Sequence, residues 1–325
     1  TIFLAIGAVA APFIGTTGAA MLRIRPLLNT TWERRNKAHT VIFTILVVAN
    51  SGGLLTPLGD PPLFLGMLRG VPFTWTFGLF PQWLLVNTLL LITYYALDRR
   101  AYADEEPDAI FFDDTQREPL RLHGALNLAF FAGIIAGVAF VPSIDLHALE
   151  SGHGVWTDAV PWRELLMLAC AAGSYFLGSR KVRFEQNQFT WTPILEVAAL
   201  FIGLFLTMIP ALNYLGQIAD RLPLNRITMF IFTGGISGVL DNAPTYATFF
   251  EIATALPGDP RVAGVPEALL VAISLGAVFG GALTYIGNGP NFMVKSVADA
   301  DGVETPSFGG YIVASLRFMV PTLTA

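Results

Sequence analysis

The chain has 325 residues, 54% of them hydrophobic and 13% charged, with a mean hydropathy of +0.58 and a net charge of −5. Soluble domains carry roughly 25% charged residues, so this composition excludes an ordinary soluble enzyme, and the small negative charge gives a nucleic-acid partner no footing. Apolar residues fall in blocks of about 18 to 20, the length of a membrane-crossing helix, without the alternation of barrel strands; the fold class is therefore an all-α integral membrane protein.

Residues 1–22 are apolar but are cut by Gly15, Thr16, Thr17 and Gly18, a pattern that predicts a re-entrant hairpin. A basic stretch over 23–39 carries Arg23, Arg25, Arg34, Arg35 and Lys37. Residues 39–55 are apolar, and the run is then broken by Thr56-Pro57-Leu58-Gly59-Asp60-Pro61-Pro62 before a half-helix continues to residue 67 or 68. Helix breakers in hydrocarbon leave backbone groups unpaired unless they are buried in protein or line a wet cavity. A span is expected over 79–97, and the acidic stretch 98–122 is a hydrophilic linker.

Further spans are expected over about 123–141, 161–178 and 193–212. Residues 226–255 are apolar but are cut by Gly234, Gly235, Gly238 and Leu240-Asp241-Asn242-Ala243-Pro244-Thr245, which predicts a second re-entrant hairpin. Residues 266–297 form a second broken helix around Thr284-Tyr285-Ile286-Gly287-Asn288-Gly289-Pro290-Asn291, and 308–325 closes the chain. The single Cys170 lies in an apolar run and is a packing residue without an internal disulfide.

Hairpin, helix, break and helix thus occur twice, with Gly59 and Gly287 separated by 228 residues. Gly70-Val71 and Gly302-Val303 extend the match. The first repeat covers 1–97 and the second 123–325, with scaffold helices over 123–212. Only the second has spans before its hairpin, so the repeat predicts roughly a hundred residues of scaffold helix before Thr1. Lys and Arg favour cytoplasmic loops; placing 23–39 inside puts 98–122 and 179–192 inside as well. The two repeats are then inverted, and the paired interruptions point to a transport site.

Asp60 and Asp241 are the acidic residues within the interruptions, and a carboxylate inside a membrane is a functional candidate by default. Around them, Thr16, Thr17, Asn50, Ser51, Thr56, Gly59, Asn242, Thr245, Thr284, Gly287, Asn288 and Asn291 supply hydroxyl, amide and backbone oxygens that suit a hard cation such as sodium. The plainer readings stand beside this one. Either aspartate can cap the helix that follows it, and the threonines can satisfy freed backbone groups. Lys295 snorkels to the interface, Glu196 and Glu251 sit near helix ends, His39 begins a helix beside the basic loop, and His147 and His153 sit in an external loop without metal-ligand company.

The strings Gly53 to Gly66, Leu240 to Thr245 and Gly281 to Met293 resemble those of the NhaD-type sodium/proton antiporters and the citrate-transporter families grouped with them in the ion transporter superfamily. The resemblance covers nearly the whole chain and is more specific for the superfamily than for the substrate. It implies a scaffold domain, a mobile transport domain, elevator-like movement and a homodimer in the bacterial cytoplasmic membrane, with no cofactor. Dicarboxylate-carrying relatives bear Ser-Asn-Thr at the hairpin tips, where this chain has Gly15-Thr16-Thr17 and Asp241-Asn242-Ala243-Pro244-Thr245. The sequence therefore points first to sodium or lithium exchange for protons, with cation-coupled uptake of citrate or another small anion as the alternative. An intramembrane aspartyl protease is a distant third: Leu58-Gly59-Asp60 and Pro210-Ala211-Leu212 resemble its motifs, but Pro57 replaces the first glycine and Asp241 follows both motifs instead of preceding them.

Overall fold

A computed structural model describes residues 1–31, 34, 36–105, 124–144, 155–186 and 224–324, with isolated positions between 189 and 210. The chain divides into two compact units, Glu118–Ile202 and the remainder, Thr1–Arg117 with Gly203–Ala325. The described residues are mostly helical, and several of the helices are apolar.

The larger unit begins with α1 (Ile2–Ile14) and α2 (Thr16–Asn29), which pack together as a hairpin. Gly15 turns the chain between them with φ 76° and ψ 150°, a backbone region that favours glycine. The second arm runs through Arg23 and Arg25, which the sequence reading placed in a loop. Arginine is a good helix former, and the buried Ala20, Ile24, Leu27 and Leu28 carry the apolar stripe onward at helical spacing.

Next comes α3 (Ala38–Phe43), which widens into a π turn over Thr44–Val48, marked by the Ala49 N–H bonding to the Thr44 carbonyl at 3.0 Å. After Asn50 a tight 3-10 turn covers Ser51–Leu55, the chain extends at Thr56, and α4 (Pro61–Leu68) follows. Two prolines open α4, where the missing N–H groups cost nothing because first-turn donors have no partner inside the helix. α5 (Phe80–Ala103) runs six residues beyond the expected span, into the stretch read as a linker. Its Leu84, Leu85 and Ile92 are exposed.

In the smaller unit α6 (Leu126–Phe140) and α7 (Trp162–Leu177) pack side by side. Cys170 lies against Gly133 and is a free thiol. These helices have 15 and 16 residues, short of the ~20 that cross a bilayer squarely. The span expected over 193–212 lies almost entirely outside the described residues.

Back in the larger unit, α8 (Arg226–Leu240) and α9 (Asn242–Thr254) form a second hairpin. A two-residue ribbon, β1 (Arg261–Val262) against β2 (Val265–Pro266), was not foreseen and leads into α10 (Glu267–Gly281). α11 (Gly289–Ala300) and α12 (Phe308–Thr324) complete the chain. α8 and α10 meet glycine to glycine: a Cβ on Gly280 would strike the Gly234 backbone, an approach only small residues permit. Among the described residues, the stretches Ala38–Leu55 and Phe73–Ala103 are long and apolar enough to cross a membrane.

The half-helices α4 and α11 end alike. Val71 N–H bonds to the Gly66 carbonyl at 3.0 Å and Gly70 N–H to that of Met67 at 3.0 Å. Val303 N–H bonds to the Ala298 carbonyl at 2.9 Å and Gly302 N–H to that of Asp299 at 3.1 Å. Gly70 and Gly302 take positive φ, as this helix stop requires. The second arms of the hairpins cross over: α2 packs on α11, and α9 packs on α4.

Candidate functional site

Asp60 is the centre of the site. It stands in extended backbone immediately before α4 and is 1% exposed. Thr16 Oγ1 donates to its Oδ1 at 3.1 Å, Asn288 Nδ2 donates to the same oxygen at 3.1 Å, and Asn242 Nδ2 donates to Oδ2 at 2.7 Å. The three donors come from the tip of the first hairpin, the second break and the tip of the second hairpin. All three are neutral. Lys295, near in sequence, pairs with Asp299, and Arg69 donates to the Ala247 carbonyl at 2.8 Å. A buried carboxylate is costly unless it is paired or fully bonded, and here amides and a hydroxyl carry that load.

Asparagines extend the cluster. Asn288 Nδ2 also reaches Asn50 Oδ1 at 3.2 Å and the Ala49 carbonyl at 3.1 Å. Asn50 Nδ2 donates to Asn291 Oδ1 at 2.7 Å, and Asn291 Nδ2 donates to the carbonyls of Gly281 and Thr284 at 2.7 and 2.8 Å. The Oδ1 of Asn242 is buried and finds no hydrogen-bond partner among the described residues. An orphaned acceptor beside a carboxylate leaves oxygen lone pairs available to a small cation, and a buried polar group without a partner calls for an explanation.

The two breaks are built alike. Thr56 Oγ1 donates to the Pro12 carbonyl while accepting from Leu58 N–H at 3.1 Å. Thr284 Oγ1 donates to the Gly238 carbonyl while accepting from Ile286 N–H at 3.1 Å. Each threonine thereby ties a hairpin arm to a break. Gly59 lies against the Gly53 backbone and Gly287 against that of Gly281, so a Cβ at either position would collide with a carbonyl. Gly59 also accepts from Thr16 N–H at 2.8 Å, fixing the first hairpin tip beside Asp60.

Other residues singled out from the sequence form no hydrogen bond with this carboxylate among the described residues. Asp241, at φ 78° and ψ 146°, repeats the backbone of Gly15, and its side chain caps α9 by accepting from Ala243 N–H at 3.2 Å. Thr245 Oγ1 donates back to the Asp241 carbonyl at 2.7 Å. Thr17 is exposed. Ser51 Oγ turns toward α5, meeting Asn87 Oδ1 at 2.8 Å.

Residues outside the sequence-predicted set brace the breaks. Trp83 Nε1 donates to the Gly52 carbonyl at 2.9 Å, and Tyr311 OH to the Ala282 carbonyl at 2.9 Å. Asn87 Nδ2 holds the Trp83 carbonyl at 2.8 Å, and Ser315 Oγ holds that of Leu283 at 2.7 Å. Trp83 and Tyr311, like Asn87 and Ser315, are 228 residues apart, the spacing of Gly59 and Gly287. Carrying that offset into the closing helices was the signal that could have found them. Among the described residues no three His, Cys, Asp or Glu side chains gather where they could hold a metal ion.

Comparison with known proteins bears on the whole chain. Residues 1–325 match the family described as "Putative citrate transport". The chain is 26% identical over 292 residues to a 46 kDa membrane protein of Mycobacterium leprae, and 29% identical over 301 residues to an uncharacterized transporter of Mycobacterium tuberculosis. Both matches cover 87% of this chain, which spans 65% of the length of each relative. With its long apolar helices, its paired helix breaks and a family match from end to end, the chain belongs to this citrate-transport family of integral membrane transporters.

Proposed function

We propose that the chain carries the transport core of a secondary active transporter that exchanges sodium or lithium for protons, with Asp60 as the coupling carboxylate. One observation carries the reading: a fully buried aspartate receives bonds from two hairpin tips and the second break, and from no cationic side chain among the described residues. A charge so placed gains most from a bound cation. A proton and a sodium ion compete for the same oxygens, and that competition couples their movements. The orphaned Asn242 Oδ1 is a second oxygen for the metal ion. Asp241, which caps a helix at the tip of the second hairpin, is an accessory group in this scheme.

The matched dihedral angles of Gly15 and Asp241, and the matched threonine ties at Thr56 and Thr284, support two repeats of one unit with re-entrant hairpins. Inverted repeats of this kind permit alternating access around a site at mid-membrane. Elevator-like movement against a scaffold, a homodimer and the cytoplasmic location of the basic loops belong to the same proposal.

Cation-coupled transport of citrate or another small anion is the second reading, and the family description favours it. Amide N–H groups and half-helix N-termini can hold a carboxylate substrate. The full-length protein in proteoliposomes separates the two. Antiport requires that added sodium dissipate an imposed pH gradient and that Asp60→Asn abolish the response. Undiminished exchange in that variant would overturn the assignment. Labelled citrate uptake driven by a sodium gradient, without proton exchange, would establish the second reading.

A further inference from the structure

A groove of about 390 Å³ lies between α3, α5 and α12, away from the Asp60 cluster. Its walls are apolar, from Ile42, Leu97, Val313 and Ala314, and Arg317 and His39 supply its polar edge. Small residues make the space: Gly310 and Ala314 are four apart on α12, one helical turn, so they share a face. Val313 is 68% exposed, as is natural for a side chain that faces lipid.

Charge at the groove is unbalanced. Arg317 forms no ion pair among the described residues, and its guanidinium lies 6.0 Å from the Phe318 ring. Phe318 rests on Phe43 with ring centroids 4.9 Å apart, and Phe43 is one helical turn beyond His39 on α3. Arg317 and His39 both line the groove. The neighbouring Asp98 is engaged by His39 at 3.0 Å and Arg34 at 3.4 Å.

We propose that this groove is a binding site for an anionic phospholipid, whose phosphate is held by Arg317 and whose first acyl methylenes lie against Ile42, Leu97 and Val313. Basic pockets between helices near a membrane surface take anionic headgroups, and an arginine without a carboxylate partner binds phosphate with paired N–H donors. The chemistry recognised is an anion joined to a hydrocarbon tail. Inorganic phosphate offers only the first part and phosphatidylcholine carries no net charge. The site stands apart from the ion assignment, and its test does not depend on which ion is carried.

The test is native mass spectrometry of the full-length protein titrated with dioleoylphosphatidylglycerol, dioleoylphosphatidylcholine or inorganic phosphate. Wild type and Arg317→Lys should retain phosphatidylglycerol, and Arg317→Gln should lower its retention about tenfold, the loss of one charge-assisted contact. Ala314→Phe fills the apolar slot and should lower retention without altering charge. Should Arg317→Gln fail to fold, the wild-type preference for the anionic lipid and its loss in Ala314→Phe decide the matter. Equal retention of phosphatidylcholine, undiminished phosphatidylglycerol binding in the Gln or Phe variant, or displacement of the lipid by phosphate alone would overturn the proposal.

Discussion

Asn242 Nδ2 donates to Asp60 Oδ2 at 2.7 Å, so the tip of the second hairpin bonds directly to the break in the first half of the chain. A bond from a neutral donor to a charged acceptor contributes about 1.5–3 kcal/mol. Asn242→Ala removes both that donor and the orphaned Oδ1 beside it. In the antiport reading the variant should raise the half-saturating sodium concentration by about tenfold or more, measured as sodium-dependent proton flux in proteoliposomes. An unchanged sodium dependence would show that Asn242 orders the tip without touching the ion.

The paired threonines invite a symmetrical experiment. Thr56→Val and Thr284→Val keep side-chain shape and leave two backbone groups unpaired in each case. Each should destabilise the folded protein by about 1–3 kcal/mol, read as a lower midpoint of thermal unfolding in detergent. Thr17→Val, at the exposed neighbour of Thr16, should stay within about 0.5 kcal/mol of wild type.

Asp241 tests backbone against side chain. Its φ of 78° is the region that Gly15 occupies at the matching tip. Asp241→Gly should lose only a few tenths of a kcal/mol from the cap, whereas Asp241→Val should lose roughly 1–2 kcal/mol or more from steric strain. Transport assays on the stable glycine variant then isolate the role of the carboxylate. Full exchange activity would confine Asp241 to capping α9.

Close backbone packing gives a fourth expectation. Gly280→Ala places a methyl group on the Gly234 backbone, and overpacking of this kind costs about 1–3 kcal/mol. Gly235→Ala, on α8, meets nothing within 4 Å and should be neutral or stabilising by up to ~1 kcal/mol through helix propensity. Thermal unfolding of the two variants side by side checks the contrast.

The sequence made the helix breaks legible because Pro, Gly and Asp inside apolar runs have few other uses. The bounds of α4 and of the hairpin arms α8 and α9 followed from the same punctuation. Orientation at a tip was less accessible. Thr16 and Thr17 are equivalent on paper, and only the turn at Gly15 decides that the first faces Asp60 while the second is exposed. Asp60 and Asp241 received equal weight for the same reason, since composition does not reveal that the second carboxylate folds back onto its own helix. The length of α2 was missed because arginines were read as loop residues. In fact the apolar stripe of Ile24, Leu27 and Leu28 continues beneath them.

The crossed packing of α2 on α11 and α9 on α4 has a temporal consequence. Asp60 obtains its donors Asn242 and Asn288 from positions 182 and 228 residues later in the chain. At a synthesis rate of roughly 5–20 residues per second, the newly made carboxylate waits about 10 to 40 s before Asn242 exists. A nascent first half therefore holds its centrepiece by Thr16 alone, and the site is complete only once residue 288 has been made.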